Sequence, residues 1–251
     1  MTTFEETQNA SEIFIDPLNN RVRRSPFWGC ATKAGRVSYH LYNRMLLANT
    51  DEQDYLHLKS GVQLWDTGAQ RQVEIKGADA LRLVQASTPR EISKMANDQC
   101  ALIPTVDQHG CMTNDPVLTK VAENHYWLSV SDADLIHFFK GVAAAKNLNV
   151  TIEEPEISPL GIQGARAFEL AAKVWGEQVL DIKFFRYKRV DVCGQSMILA
   201  RSGFSLRGGY ELYFQGTAGA EEIWEKLMIA GKDMNIRAGC PTQFERIESG
   251  L

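Results

Sequence analysis

Between Gln72 and Met228 the chain runs twice through one order of elements: a strand, a helix, paired strands and a second helix, without regular strand-helix-strand spacing. A doubly wound parallel sheet needs a crossover between neighbouring strands, whereas strands joined by short polar turns pair antiparallel, so the pattern predicts an α+β fold. In the first half, Gln72 to Ile75 alternates like a half-buried strand, Gly77 breaks it, and Ala80, Leu81, Leu83 and Val84 fall on one helix face. Pro116 to Val121 and Tyr126 to Val130 read as a hairpin across the polar Ala122 to His125. Ser131 and Asp134 have the spacing of a capping box, which predicts a helix from about Asp132 to Lys146. In the second half, Leu160 to Ile162 is a short strand and Ala165 to Trp175 a helix; Phe184 to Val192, Ser196 to Ala200 and Tyr210 to Phe214 are strands. Ala220 to Ile229 is an amphipathic helix that buries Ile223, Trp224, Leu227 and Met228. Upstream, Glu12 to Tyr39 lacks periodicity and is punctuated by Pro17, Pro26, Gly29 and Gly35, which predicts an extended arm. Phe244 to Leu251 reads as the beginning of a helix with neither partner nor cap, implying that the sequence continues in the intact protein.

Composition narrows the possible partners. At 251 residues, 44% hydrophobic and 23% charged, the chain suits one large domain or two smaller ones. A formal net charge of -4 gives no general field for nucleic acid or anionic lipid, and the cluster of Arg21, Arg23 and Arg24 reads as a solvated loop face. No apolar stretch reaches membrane-spanning length, and the start has no apolar leader region. The five cysteines are odd in number, scattered and never C-x-x-C, which argues against a disulfide framework or structural zinc and for a reducing cytoplasm. His40, His57, His109, His125 and His137 lack metal-ligand spacing, so no metal is expected. The phosphate-loop, dinucleotide, nucleophile-elbow and zinc-protease signatures are all missing.

Two segments carry more polarity than a core or a turn requires. Asp107 to Pro116 feeds Asn114 and Asp115 from a glycine turn into the start of a strand, and turn chemistry alone would account for it. Arg201 to Tyr213 is harder to explain that way. It places Glu211 among Tyr210, Leu212 and Tyr213 in an otherwise apolar strand, where an unpaired carboxylate is costly to bury. A ligand presenting paired N–H donors would remove that cost.

These two segments recur in a wider pattern. With Ser25-Pro26-Phe27, Tyr42-Asn43 through Met45-Leu46-Leu47, Val62 to Asp66, Arg71 to Ile75, Ile162-Gln163-Gly164 and Glu245 to Leu251, they form an ordered set of landmarks. In order and spacing these residues resemble the aminomethyltransferase (glycine-cleavage T-protein) superfamily from about Arg21 to Leu251. The resemblance implies an N-terminal arm over 1–20, then a folate-binding region over 21–251 made of interleaved mixed-sheet subdomains, approximately 21–155 and 156–251. The usual C-terminal β-barrel of that fold is expected to be absent from this chain.

The resemblance further implies methyl transfer from a small sulfonium of the dimethylsulfoniopropionate kind to N5 of tetrahydrofolate. Glu211 matches the carboxylate that pairs with the amino and ring N–H edge of the pterin, and Asp115 the acidic catalytic residue near the reacting nitrogen. Arg246 matches a residue of the folate-site helix, and Val130 with Ser131 the strand end whose backbone lines the pterin; Asn114 and Tyr213 complete the expected cofactor-binding set. Phe204, Trp65 and Tyr42 are the expected substrate-side residues, with aromatic faces suited to a cation, although the apolar run around Trp65 would make it core in any case. Phe204 stands where relatives carry Trp or Tyr, Leu102 where they usually carry Tyr, and Leu206 replaces a polar residue. Two other readings remain open on the sequence: a glycine-cleavage aminomethyltransferase docking a lipoylated carrier protein, and a folate-binding regulatory protein without methyltransferase activity.

Overall fold

Apolar residues at alternate strand positions, and three or four apart in the helices, give two sheets that each turn one face to helices and the other to the opposite sheet. The computed structural model of the protein describes residues 22–49, 52–203 and 205–250. Helix α1 (Trp28–Lys33), the hairpin of β1 (Tyr39–Tyr42) and β2 (Met45–Ala48), and α2 (Glu52–Leu58) come first. Then follow β3 (Val62–Asp66), β4 (Gln72–Lys76), α3 (Ala80–Gln85), β5 (Cys100–Leu102) and a small hairpin of β6 (Thr105–Val106) and β7 (Met112–Asn114). Strands β8 (Val117–Ala122) and β9 (His125–Ser129) lead to α4 (Leu135–Ala145), β10 (Thr151–Glu153), β11 (Ile157–Gln163) and α5 (Ala167–Trp175). Last come β12 (Tyr187–Val192), β13 (Gln195–Ala200), β14 (Gly209–Gln215), α6 (Ala220–Ala230), β15 (Ile236–Gly239) and α7 (Gln243–Ser249). Among the described residues no helix is long and apolar enough to cross a membrane.

The five-stranded sheet has the order β10-β4-β9-β8-β5 and the six-stranded sheet the order β12-β13-β14-β11-β3-β15. All pairings are antiparallel except β15 with β3, the α+β arrangement that the element order predicts. The chain crosses between the sheets twice, after β3 and after β10, so strands of the early sequence sit in both. Arg71 on the first crossing makes a two-pronged ion pair to Glu154 on the second, with Nε at 2.9 Å, and Arg23 reaches the same carboxylate at 2.6 Å. This three-residue cluster pins the two crossings side by side. One core lies between the six-stranded sheet and α1, α5 and α6; a second lies between the five-stranded sheet, α3 and α4. A third, smaller cluster of Cys100, Trp127, Ile157, Tyr187, Ile198, Ala200 and Tyr213 joins the two sheets.

Several local expectations change. The stretch around Phe27 is not extended: α1 forms there because Phe27 and Ala31, four apart, insert into the core at 0% and 3% exposure. The expected arm up to residue 21 lies outside the described residues. Helix α4 starts at Leu135, and no capping box forms, because Ser131 bonds to Asn114 and Asp115 while Asp134 pairs with Arg44. Phe184 and Phe185 precede the strand, with Phe185 in a turn at φ 55. Helix α7 is not the uncapped beginning expected from the sequence: the Thr242 and Glu245 capping box closes one end and Gly250 at φ 75 the other.

Asp66, at the end of β3, is 9% exposed; Ser25 Oγ donates to it at 2.5 Å and the Gly68 N–H at 3.2 Å. Burial outweighs both donors and raises its carboxyl from 3.8 to about 6. The folded state therefore holds this proton more tightly than the unfolded chain, so the contribution to stability is complete below 3.8 and is lost as pH rises through about 6. Asp66→Asn is expected to gain on the wild type by roughly 3 kcal/mol between pH 4 and pH 8, at 1.36 kcal/mol per pKa unit. Urea denaturation across that range measures it, and parallel pH profiles would contradict it.

Candidate active site

Alternation along β14 sends Tyr210, Leu212 and Phe214 into the helix-backed core and leaves Glu211 and Tyr213 on the face turned to the other sheet. Across the ladder Glu211 is opposite Gly161, and Gly161 is opposite Trp65, so the three share one row of that face. The middle of the row has no side chain, and a Cβ on Gly161 would lie 3.2 Å from Cβ of Trp65. Trp65 is 3% exposed, and its ring N–H donates to Gln63 Oε1 at 2.7 Å.

Glu211 accepts a short hydrogen bond from Ser202 Oγ, and among the described residues no cation pairs with it. Burial pushes its carboxyl up, with the Ser202 bond opposing. Ser202 sits in the loop between β13 and β14, and that loop is held from below by Gln163. The Gln163 amide donates to the carbonyls of Ser202 and Tyr210, both at 3.2 Å, and accepts from Ser205 Oγ at 2.8 Å. The loop closes so tightly that a Cβ on Gly209 would meet the Ile162 carbonyl at 2.4 Å. Phe204, in the same loop, lies outside the described residues.

Two residues beyond Glu211, the Tyr213 hydroxyl lies 3.3 Å from Ser129 Oγ on the opposite sheet. Two residues beyond Ser129, Ser131 Oγ donates to Asp115 Oδ1 at 2.7 Å and contacts Asn114 Oδ1 at 3.1 Å. Arg246, from α7, donates to the other Asp115 oxygen at 2.9 Å. Tyr42 joins this end: burial pushes its phenol up, and the Asp115 carboxylate and Arg246 act on it in opposite directions. The site is thus a line of polar side chains running from Glu211 through Tyr213, Ser129 and Ser131 to Asp115 and Arg246.

The backbone of Val130 and Ser131 has little donor capacity left. The Val130 N–H is used by the Arg71 carbonyl at 2.9 Å and the Ser131 N–H by Asn114 Oδ1 at 3.2 Å. Their carbonyls accept from the Asn43 amide at 3.0 and 3.1 Å; the Ser131 carbonyl also accepts from the Asn114 amide at 3.3 Å, so Val130 is the one that keeps a second lone pair. Asn43 can do this because it sits in the two-residue turn between β1 and β2, where Asn43 and Arg44 have φ 53 and 63. What the site offers a ligand is mostly acceptors: the Glu211 and Asp115 carboxylates and the Val130 carbonyl. Such a lining suits a flat, donor-rich heterocycle.

Of the residues singled out from the sequence, Asp115, Asn114, Ser131, Val130, Arg246 and Tyr42 form one connected group, and Glu211 and Tyr213 another, joined through Ser129. Trp65 is in the row of Glu211. Sequence reading missed Ser202, Ser129, Gln72, Gln163 and Asn43. Asn43, Gln72, Gln163 and Ser202 carried a signal, as parts of the Tyr42-Asn43, Arg71 to Ile75, Ile162-Gln163-Gly164 and Arg201 to Tyr213 segments, and Ser129 carried none.

Paired sheets with this crossing define the fold seen in the glycine cleavage system aminomethyltransferase T from Bartonella henselae, matched with a TM-score of 0.75 over 92% of this chain and 63% of that one at 19% identity. Residues 30–251 match the GCVT N-terminal domain, and the chain belongs to that family. The chain is 49% identical over 236 residues to dimethylsulfoniopropionate demethylase of Ruegeria pomeroyi, covering 93% of this chain and 65% of that protein. It is 28% identical over 200 residues to an aminomethyltransferase of Caldanaerobacter subterraneus subsp. tengcongensis, covering 77% of this chain and 53% of that protein. The chain therefore spans less than two thirds of these relatives' own length.

The raised Glu211 carboxyl sets an expectation for the ligand-free protein. Because the folded value lies above 4.5, ionising Glu211 costs stability as pH rises through the raised value. Glu211→Gln is expected to raise the melting temperature at pH 8, by roughly 2–4 °C for each kcal/mol relieved, and to leave it unchanged below pH 4. Calorimetric melting of both proteins checks this, and a Glu211→Gln protein that melts lower at pH 8 would contradict it.

Proposed function

We propose that the intact protein moves a methyl group from a small sulfonium, dimethylsulfoniopropionate or a close analogue, to N5 of tetrahydrofolate, leaving a thioether and 5-methyltetrahydrofolate. Glu211 carries this reading: a half-buried carboxylate with one hydroxyl donor and, among the described residues, no cation is completed by paired N–H donors, and the amino and ring N–H edge of a reduced pterin has them. The acceptor position left on the Val130 carbonyl supports the same ligand. The sulfonium donor is favoured by the 49% identity to the Ruegeria pomeroyi demethylase. Five free thiols, with none in a disulfide, support a reducing cytoplasm as the location.

When bound, tetrahydrofolate supplies N5 as the acceptor of the methyl group. Glu211 holds the donor edge of the pterin, with Tyr213 and the Val130 carbonyl accepting beside it and Ser131 completing the strand end that lines it. Asp115 is held by one bond to each oxygen, from Ser131 and from Arg246, and a carboxylate has about four lone-pair sites in all. The sites left over orient the reacting N–H and take its proton. Asn114 fixes Ser131, and through it Asp115. On the donor side Tyr42, Trp65 and Phe204 are the aromatic residues assigned to the sulfonium, an assignment that for Phe204 rests on the sequence.

Bonds and charge balance simply. The S–CH3 bond breaks with its electron pair left on sulfur, an N–CH3 bond forms, and a proton leaves the nitrogen as the charge on sulfur is discharged. A sulfonium is already an activated donor, so the protein contributes chiefly alignment, worth roughly 7–11 kcal/mol. Incubating the intact protein with tetrahydrofolate and dimethylsulfoniopropionate is expected to give 5-methyltetrahydrofolate by chromatography. Glu211→Ala and Asp115→Asn should each lower kcat/KM by at least about 100-fold. Unchanged turnover in both variants would overturn the site; bound tetrahydrofolate without product would overturn the sulfonium donor.

A further inference from the structure

The hydrogen bonds that join the sheets behind Tyr213 have a fixed direction. Gln72 Nε2 donates to the Gln70 carbonyl at 2.7 Å. Turning that amide over would set its oxygen against the carbonyl, so Oε1 is the atom that faces Ser129. Ser129 Oγ lies 2.9 Å from Gln72 Oε1, and its one hydrogen goes there. The 3.3 Å contact between Ser129 Oγ and the Tyr213 hydroxyl then has only the tyrosine hydrogen available to it. Tyr213 therefore donates away from the site, into the seam between the sheets. Tyr213 is 1% exposed, and its oxygen keeps acceptor capacity beside this bond.

We propose that Gln72 and Ser129 are positioning residues that fix Tyr213 as an obligate acceptor, and that this sets the oxidation state of the ligand the site takes. The inference rests on the folate reading. Glu211 and Tyr213 share one face of β14, two residues apart, so their backbones are separated by about 6.6–6.8 Å. Both present acceptors, which calls for a ligand edge with N–H groups at both places. A tetrahydropterin carries hydrogens on its reduced-ring nitrogens, whereas an oxidised pterin has lone pairs there, which would face the Tyr213 oxygen with no hydrogen between them. Reduced folate is accepted and oxidised folate refused by the direction of one hydroxyl.

The test is the ratio of Kd values for folic acid and tetrahydrofolate, measured anaerobically by calorimetry on the intact protein. Ser129→Ala frees the Tyr213 hydrogen to turn toward the ligand and is expected to narrow the ratio about tenfold, the worth of one hydrogen bond gained or left unmade. Gln72→Met, which removes the acceptor for Ser129, should act in the same direction, and Ser129→Thr should keep the wild-type ratio. In a Tyr213→Phe background Ser129→Ala should leave the ratio unchanged. A structural role for Ser129 would instead weaken both ligands equally in either background, and that result, or an unchanged ratio in Ser129→Ala, overturns the inference while the folate reading stands. Tetrahydrofolate binding that is undetectable, or indifferent to Glu211→Ala, overturns the folate reading and the inference together.

Discussion

Glu211 lies between the two sheets with Ser202 as its hydroxyl donor and no cation paired to it among the described residues. Keeping such a group ionised costs free energy, and the surrounding structure limits how it can relax. Gln163 holds the loop that carries Ser202, and glycines let the backbone pass close on either side. The half-buried carboxylate therefore has a fixed hydroxyl donor and, among the described residues, no cation paired to it. Under the proposed function the ligand-free protein carries this cost and a molecule with paired N–H donors offsets it, whereas a ligand without those donors leaves the carboxylate as unsatisfied as before.

Precision of that placement depends on how the sheets are tied together. Each half of the site belongs to a different sheet: Glu211 and Tyr213 to the six-stranded one, Ser129, Ser131 and Asp115 to the five-stranded one and the segments at its edge. Two chain crossings join the sheets, and Arg71 with Glu154 fixes them side by side. The third apolar cluster, with Trp127 and Tyr213 at 6.1 Å between ring centroids, sets the spacing. Helix α7 then brings Arg246 across to Asp115, so an element far along the sequence completes an end of the site built from early strands.

The helices and most strands were legible because burial imposes period 3.6 or 2 on the residues themselves, as in Ala220, Ile223, Trp224 and Leu227 of α6. Glu211 was legible for the opposite reason, as a charge that breaks an apolar alternation. Asn114 and Asp115 were ambiguous, since turn residues and site residues have the same composition. Ser131 was misread as a helix cap because a serine three before an acid looks alike in both roles; its actual partners are 16 and 17 positions upstream. Gln72, Ser129 and Tyr213 were beyond local reading as a relay, because it depends on register between strands 57 and 84 residues apart. The helix at Trp28 was hidden by the proline and glycines around it, and its cause, Phe27 packing against Phe214 at 5.2 Å, is a contact no local pattern records.

A structure of the intact protein with tetrahydrofolate bound measures the central claim directly. The amino and ring N–H edge of the pterin is expected within hydrogen-bonding distance of the Glu211 carboxylate, with Asp115 beside the reacting nitrogen and Ser202 still donating to Glu211. A pterin bound elsewhere, or one that turns acceptor atoms to Glu211, would contradict it.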